Sequence, residues 1–356
     1  MDKIRVLIVD DTMVFRTILK SIFSEFLDVE IVGTAPNGKI GLDLIISLKP
    51  DIVTLDMEMP EMDGLAVLKE VQKKGIDVGI IVLSGVTKMG SDLTIQALQL
   101  GAFDFIAKPS GAEESTNRQL IQASLRSRID AFIGKRKTEK IVEPKKIVQP
   151  AAKSVFERIS SLTITKRHIV GIGVSTGGPV ALAQIVPLFP ANFSLPITVV
   201  QHMPPIFTKS LAENLNKKAK LKVVEAKDGD VVEKGKIFIA PGGSQMKIVN
   251  SVDQKQKLIN ITSDPPEENC RPSVNYMFRS IANVYGVKSI GVILTGMGAD
   301  GVMGLRLMRR KGAYVFAQDA QTSVVYGMPK EAVDAGVVDK VLPLNQIPEA
   351  ICNLII

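Results

Sequence analysis

The chain has 356 residues, 46% of them hydrophobic and 23% charged, a globular composition long enough for two domains rather than one. Its net charge of +7 is modest, and with no tryptophan and four tyrosines for base stacking no nucleic-acid partner is expected. Two cysteines, Cys270 and Cys352, build neither a disulfide framework nor a zinc site, the N-terminus lacks a signal-peptide pattern, and no apolar run reaches about 18 residues, so a cytoplasmic protein without membrane insertion is expected.

From the N-terminus, apolar runs alternate with helix-length amphipathic segments. Strands are expected at 4–10 (IRVLIVD), 29–35, 51–56 (DIVTLD), 78–84 and 102–108, with helices between them such as 14–26 and 39–48. Alternation of this kind builds a parallel sheet with helices on both faces. The stretch Gly134–Ser154 is rich in lysine and proline, lacks sustained periodicity and reads as a solvated linker. A second alternation follows, with strands expected at 168–174, 195–201, 236–241, 289–295 and 313–318. Its helices are expected at 179–188, 204–217, 273–284, 301–311 and 347–355. Between 221 and 262, shorter strand-like segments and the turn signals DGD and PGG predict a small antiparallel addition. The expected class is α/β, with two doubly wound parallel-sheet domains at 1–125 and 166–356 and a linker over 126–165.

In open α/β sheets, functional groups collect beyond the carboxyl ends of the strands. The first strand ends in Asp10-Asp11 and the third in Asp56. Neighbouring first and third strands would bring three carboxylates together, and their repulsion asks for a cation. Oxygen donors with room for water suit Mg2+. Ser84 and Lys108 end the next two strands. A hydroxyl and an ammonium beside a metal-bound carboxylate suit phosphoryl transfer to Asp56. Any one acid alone would read as a solvated strand cap; the set does not. The motifs LIVDDT, LDMEMPEMDGL, VLSG and FIAKPS resemble the receiver domain of bacterial response regulators over residues 1–125. That resemblance implies a flavodoxin-like fold and phosphorylation of Asp56 by a histidine kinase. It further implies Mg2+ held by Asp10, Asp11 and Asp56, and sensing of the phosphoryl group by Ser84 and Lys108.

The second half opens on IVGIGVSTGGPVAL, where glycines sit between a strand and a helix. A dinucleotide fingerprint would need glycine at 176, where Thr176 stands, and an acid about 20 residues on. No Asp or Glu occurs between Thr176 and Gln201, and no Gly-Lys-Ser/Thr follows for a P-loop. Gly173-Val174-Ser175-Thr176-Gly177 fits G-x-S-x-G on a strand–turn–helix, the mount of a nucleophilic serine. The following helix start offers backbone amides for an oxyanion.

A serine needs a base, and the chain has two histidines, His168 and His202. His168 opens its strand, some 20 Å from the serine along an extended chain, and reads as structural or surface. His202 closes the next strand at the carboxyl end and can reach Ser175 if the strands are adjacent. An orienting acid is then required. The order Ser…Asp/Glu…His of α/β-hydrolases is impossible here. Asp300 and Asp319, each after a later strand, are the candidates, with Asp300 preferred; its plain alternative is a helix N-cap.

The segments GVSTGGP, VVQHMPPIFTKSLAENLN, IAPGG, ENCRPSVNYMF, GVILTGMGADG and AQDAQTSVVYGMP resemble the chemotaxis protein-glutamate methylesterase family from residue 166 to the end. The resemblance implies an α/β esterase domain with a triad of Ser175, His202 and Asp300 and hydrolysis of glutamate γ-methyl esters on methyl-accepting chemoreceptors, with deamidation of glutamines. It implies a receiver that packs over the active-site face until phosphorylated. Backbone amides near Thr176 and Met297 are the oxyanion candidates, the esterase chemistry calls for no metal or other cofactor, and a monomer is expected. Gln245 and Asn275 depart from the family's usual histidine and aspartate, which puts substrate contacts there in doubt. Two readings of other classes remain at this point: a catalytically quiet interaction module, and a DNA-binding response regulator, for which no helix-turn-helix signal is found.

Overall fold

In the computed structural model, which describes residues 3–109, Glu114–Ile141 and 166–355, the short apolar runs become strands covered on both faces. The chain divides into two compact units, Met1–Phe132 with Met203–Asn214, and Ile133–His202 with Leu215–Ile356.

The first unit runs β1 (Ile4–Val9), α1 (Met13–Ser24), β2 (Val29–Ala35), α2 (Gly38–Leu48), β3 (Ile52–Asp56), α3 (Gly64–Lys73), β4 (Gly79–Gly85), α4 (Lys88–Gln99), β5 (Asp104–Lys108) and α5 (Glu114–Ile141). Its parallel sheet has the order β2-β1-β3-β4-β5, the flavodoxin-like winding. Helix starts follow local chemistry. Asn37, Asp63 and Thr87 each accept a hydrogen bond from a backbone N–H in the first turn of α2, α3 and α4, a cap that contributes about 1 kcal/mol.

Helix α5 passes position 125 and continues through Gly134–Ile141, part of the stretch expected to be linker. Lysine and arginine are good helix formers, so a solvated helix and a basic linker share a composition. The rest of that linker, 142–165, lies outside the described residues.

The second sheet is built from β6 (Ile169–Val174), β7 (Ile197–Gln201), β8 (Lys222–Glu225), β9 (Lys236–Ile239), β12 (Ser289–Ile293), β13 (Tyr314–Gln318) and β14 (Lys340–Leu342). Its order is β14-β13-β12-β6-β7-β9-β8, parallel throughout. The antiparallel addition is the hairpin β10 (Gln245–Asn250) with β11 (Lys257–Thr262). Segment 222–225, expected within that addition, instead joins the edge of the parallel sheet. The helices of this half of the chain are α6 (Gly178–Ile185), α7 (Phe207–Lys218), α8 (Val274–Tyr285), α9 (Val302–Arg310), α10 (Met328–Asp334) and α11 (Ile347–Asn353), with α7 up to Asn214 counted in the first unit. Strand β14 and helix α10 were not expected: at 3 and 7 residues they are too short to show a period.

Chain order reverses between β6 and β12. From β6 the strands proceed one way to β7, β9 and β8, and from β12 the other way to β13 and β14. Such a switch point opens a crevice at the carboxyl ends of its strands. Helix α8 packs closely over β6 because that strand carries glycine where the helix approaches. A Cβ on Gly173 would come within 2.2 Å of the Val274 Cγ1. Val274, Phe278 and Ile281 on the buried face of α8 are fully covered. Phe278→Ala is expected to destabilise the second unit by about 3–5 kcal/mol through the cavity it leaves; the shift in the denaturant midpoint of that unit's unfolding measures it.

Candidate functional site

In the first unit the register Val9↔Leu55 on neighbouring strands sets Asp10 and Asp56 side by side at the carboxyl ends. Asp10 is fully buried and Asp56 is 5% exposed, while Asp11 faces solvent. Lys108 reaches over from the end of β5 and donates to Asp10 Oδ2 at 2.9 Å and Asp56 Oδ2 at 2.7 Å. Burial is the largest influence on Asp56 and raises its carboxyl; Asp10 adds to the rise and Lys108 opposes it. Burial also works against the Lys108 charge, but hydrogen bonds to Asp56 and Asp10 outweigh it and push the ammonium up. One oxygen each of Asp10, Asp11 and Asp56 lies within 4.8 Å of the others, a hard oxygen set that fits Mg2+. Ser84 sits buried at the end of β4, and its hydroxyl donates to the Gly90 carbonyl at 2.9 Å. The pocket therefore gathers Asp10, Asp11, Asp56 and Lys108, with the Ser84 hydroxyl engaged on backbone.

The second unit carries a mounted serine. Ser175 follows the last residue of β6, and its N–H donates to the Thr295 carbonyl at 3.0 Å. Its own carbonyl accepts from Gly178 N at 2.8 Å and from the buried Gln201 Nε2 at 2.9 Å. Three bonds on one residue's backbone hold the turn. Gly177, with φ +77°, closes it in the left-handed region that favours glycine, and a Cβ there would also meet Val324. Thr176 is next in the turn at the start of α6. Met297 follows Gly296, where an added Cβ would come within 2.7 Å of the Ser175 Cβ. Both oxyanion candidates therefore sit beside the serine.

Val174 pairs with Gln201 across β6 and β7, so Ser175 and His202 occupy equivalent positions one residue further on. Adjacent strands lie about 4.8 Å apart. The His202 Nε2 is 2.8 Å from Asp300 Oδ2. Asp300, 3% exposed, also accepts from Ser273 Oγ at 2.9 Å, Val274 N at 2.7 Å and Asn275 N at 2.8 Å. Burial disfavours its charge, yet the bonds from His202 and from the Asn275 and Val274 amides outweigh that and hold the carboxyl below its ordinary range. An ionised Asp300 can only accept, so Nε2 carries the proton and donates to it, and Nδ1 is the nitrogen left to work. Burial alone would lower the imidazole, but Asp300, and then Cys270, push it up to about 9.

The plain alternative for Asp300 is a cap of the helix that follows it. It is a cap, but of α8, whose first N–H groups it receives; α9, which follows Asp300 in the chain, has Gly301 at its N-cap instead. Asp319 holds a local turn, accepting from Thr322 N and Oγ1. His168 stands exposed at the amino end of β6, held down chiefly by burial and then by Lys288, Lys166 and Lys234.

Gln245 and Asn275 brace the scaffold. Buried Gln245 donates to the Pro265 carbonyl at 3.0 Å and the Cys270 carbonyl at 3.4 Å, and accepts from Ser273 N at 2.8 Å. The Asn275 Oδ1 accepts from Gly304 N at 2.8 Å and ties α8 to α9. Sequence reasoning missed three features: Ser273, Gln201 and Cys270, whose Sγ is 3.6 Å from His202 Nδ1. Ser273 carried a signal, since a serine before a helical run is an N-cap pattern. Cys270 carried none.

Two family models match the chain, "Response regulator receiver domain" over residues 6–120 and "CheB methylesterase" over 170–351. A protein of Desulfotalea psychrophila named protein-glutamate methylesterase/protein-glutamine glutaminase is 43% identical, covering 100% of this chain and 99% of that protein. One of Thermotoga maritima with the same name is 40% identical over 99% of this chain and 98% of that protein. Among solved structures, the catalytic domain of Thermotoga maritima CheB methylesterase is 43% identical, with a TM-score of 0.52 over 53% of this chain and 99% of its own.

Replacing Asp300 by asparagine removes the charge that holds the proton on His202 while leaving the ring buried. The imidazole is expected to fall from about 9 to below its ordinary 6.5. An NMR titration reads this directly, since only His168 and His202 contribute imidazole signals.

Proposed function

The chain belongs to the CheB methylesterase family, with a response-regulator receiver ahead of the esterase, and on that premise we propose that it hydrolyses glutamate γ-methyl esters, and deamidates glutamines, on methyl-accepting chemoreceptors under control of phosphorylation at Asp56. The observation that carries the esterase reading is the 2.8 Å pair of His202 and Asp300, set one strand from Ser175 at the switch point of the sheet.

The Ser175 hydroxyl turns to His202 Nδ1 and attacks the side-chain carbonyl as the imidazole takes its proton. The N–H groups of Thr176 and Met297 stabilise the oxyanion. As the intermediate collapses and the C–O bond breaks, Nδ1 returns the proton to the departing methoxide, giving methanol, or to the departing amide nitrogen, giving ammonia. Water, deprotonated by the same nitrogen, then hydrolyses the acyl-enzyme to glutamate. Throughout, Asp300 keeps its charge and holds Nε2–H, so the ring cannot rotate or change tautomer. The scheme uses side chains and backbone alone.

In the receiver, a histidine kinase is the phosphodonor and the Asp56 carboxylate the acceptor. Asp10, Asp11 and Asp56 would hold Mg2+, which would supply positive charge against the phosphoryl oxygens. Lys108, already bridging Asp10 and Asp56, has a new anion to follow once the phosphoryl group arrives, and Ser84 leaves Gly90 to bond it. No helix among the described residues is long and apolar enough to cross a membrane, and two half-buried free cysteines agree with a reducing cytoplasm, where the chain works as a monomer.

Methanol release from methylated receptor, with and without a phosphodonor and Mg2+, tests both halves. Release is expected in the basal state, rising with phosphodonor and failing to rise in Asp56→Asn. Ser175→Ala is expected to lose about 10⁴-fold or more in rate; near-normal release from that variant would sink the nucleophile assignment. Since the raised imidazole is protonated at neutral pH and only its neutral form accepts the serine proton, kcat/KM is expected to climb between pH 7 and about 9 and then level. A profile already level at pH 7 would contradict it.

A further inference from the structure

The hydrolysis scheme leaves Cys270 idle, although its sulfur is the group facing the working nitrogen of His202. We propose that Cys270 Sγ and His202 Nδ1 form an inhibitory site for a soft divalent cation such as Zn2+. The two cysteines by themselves make no zinc site, and the second donor becomes visible only once β7 and the turn before α8 are folded together.

The geometry is that of two ligands sharing one ion. With Zn–S of about 2.3 Å and Zn–N of about 2.0–2.1 Å, tetrahedral donors stand about 3.6 Å apart. Sγ and Nδ1 are 3.6 Å apart. Nothing need move far to admit the ion. The ring is also oriented as zinc-binding histidines are: the nitrogen away from the ion donates to a carboxylate, here Nε2 to Asp300 at 2.8 Å. Asp300 lies within 4.8 Å of the same donors, but its oxygens already accept from His202, Ser273, Val274 and Asn275. It is the orienting group, and water completes the coordination.

Cys270 is held in place from both sides. Its N–H donates to the Glu267 carbonyl at 2.8 Å, and its carbonyl accepts from Glu267 N at 3.1 Å. The intervening Glu268 and Asn269 both lie in the left-handed region, at φ 48° and 61°, which makes a tight two-residue turn. Half-buried rather than sealed, the sulfur can be reached from solvent.

Binding forms an Sγ–Zn and an Nδ1–Zn bond. The thiol proton, and the Nδ1 proton of a charged ring, pass to buffer; Nε2 keeps its proton on Asp300, and nothing is oxidised. The ion takes the lone pair that removes the proton of Ser175, so hydrolysis stops; this consequence rests on the mechanism above, whereas the site itself does not. A thiolate selects soft ions over Mg2+. The receiver's Mg2+ therefore leaves the esterase untouched.

The test uses the full chain in saturating Mg2+, which occupies the receiver's oxygen site. Cd2+ is titrated in while its thiolate charge-transfer band is followed in the ultraviolet, and Zn2+ inhibition of methanol release is measured in parallel. Wild type and Cys352→Ser are expected to give a saturating band of one ion per chain. Cys270→Ser, with Cys270→Ala as a second variant and an unchanged Tm as the folding control, is expected to lose it. Half-inhibition by Zn2+, read against each protein's own metal-free rate, is expected to shift upward at least about tenfold in both Cys270 variants and to be reversed by a chelator. A band that survives in Cys270→Ala, or disappears in Cys352→Ser, overturns the site. A normal band with undiminished methanol release overturns the inhibition. If the metal-free protein releases no methanol, the functional reading fails, and the band still decides the site.

Discussion

One carboxylate organises the second unit. Asp300 accepts from His202, Ser273, Val274 and Asn275 and so joins the end of β7, the loop after β12 and the first turn of α8. Burying a charge is costly unless hydrogen bonds replace the lost water, and here an imidazole, a hydroxyl and two helix N-terminal amides do so. The positive end of α8 adds to that stabilisation. The same bonds that keep Asp300 ionised let it hold a proton on Nε2, so the state of the His202 ring depends on where a helix begins. Gln245 extends the dependence outward, through Ser273 N to the cap and through the Cys270 carbonyl to the turn beside the ring.

Both units use the same architectural device for opposite chemistry. Each places its functional groups beyond the carboxyl ends of parallel strands, where side chains converge without interrupting the sheet. In the receiver the convergence is of like charge: Asp10, Asp11 and Asp56 repel, and Lys108 offsets part of that repulsion. That leaves room for a hard cation. In the second unit the charge is a single buried anion matched to one imidazole. Softness then distinguishes the two centres: oxygen against oxygen in one, sulfur against nitrogen in the other.

Much of the fold could be read from the chain because strand positions are a local property. Five apolar runs in each half stand where strands stand, and Ser175 and His202 were placed by their positions at strand ends. Elements too short to show a period, α10 and β14, left no trace. Helix α5 ran on through residues whose basic composition is shared by linkers and solvated helices. The assignment of segment 222–225 turned on pairing, since the same four residues fit an antiparallel ribbon or the edge of a parallel sheet.

Asp300 and Asp319 looked alike in the sequence, each following an apolar strand and opening a polar turn. Local pattern reaches the inventory at the strand ends: in the first half three acids, a serine and a lysine, and in the second a serine on a glycine turn, one usable histidine and two candidate acids. Hydrophobic period and turn chemistry act over a few residues, and they suffice for that. Which of these groups meet depends on contacts far apart in the chain. Asp300 is bound by a helix start some 25 residues before it, Asp319 by its own turn, and Cys270 meets His202 across 68 positions of chain. Those pairings arise where separate loops are brought over one switch point, and strand order is a property of the whole sheet that no local pattern carries.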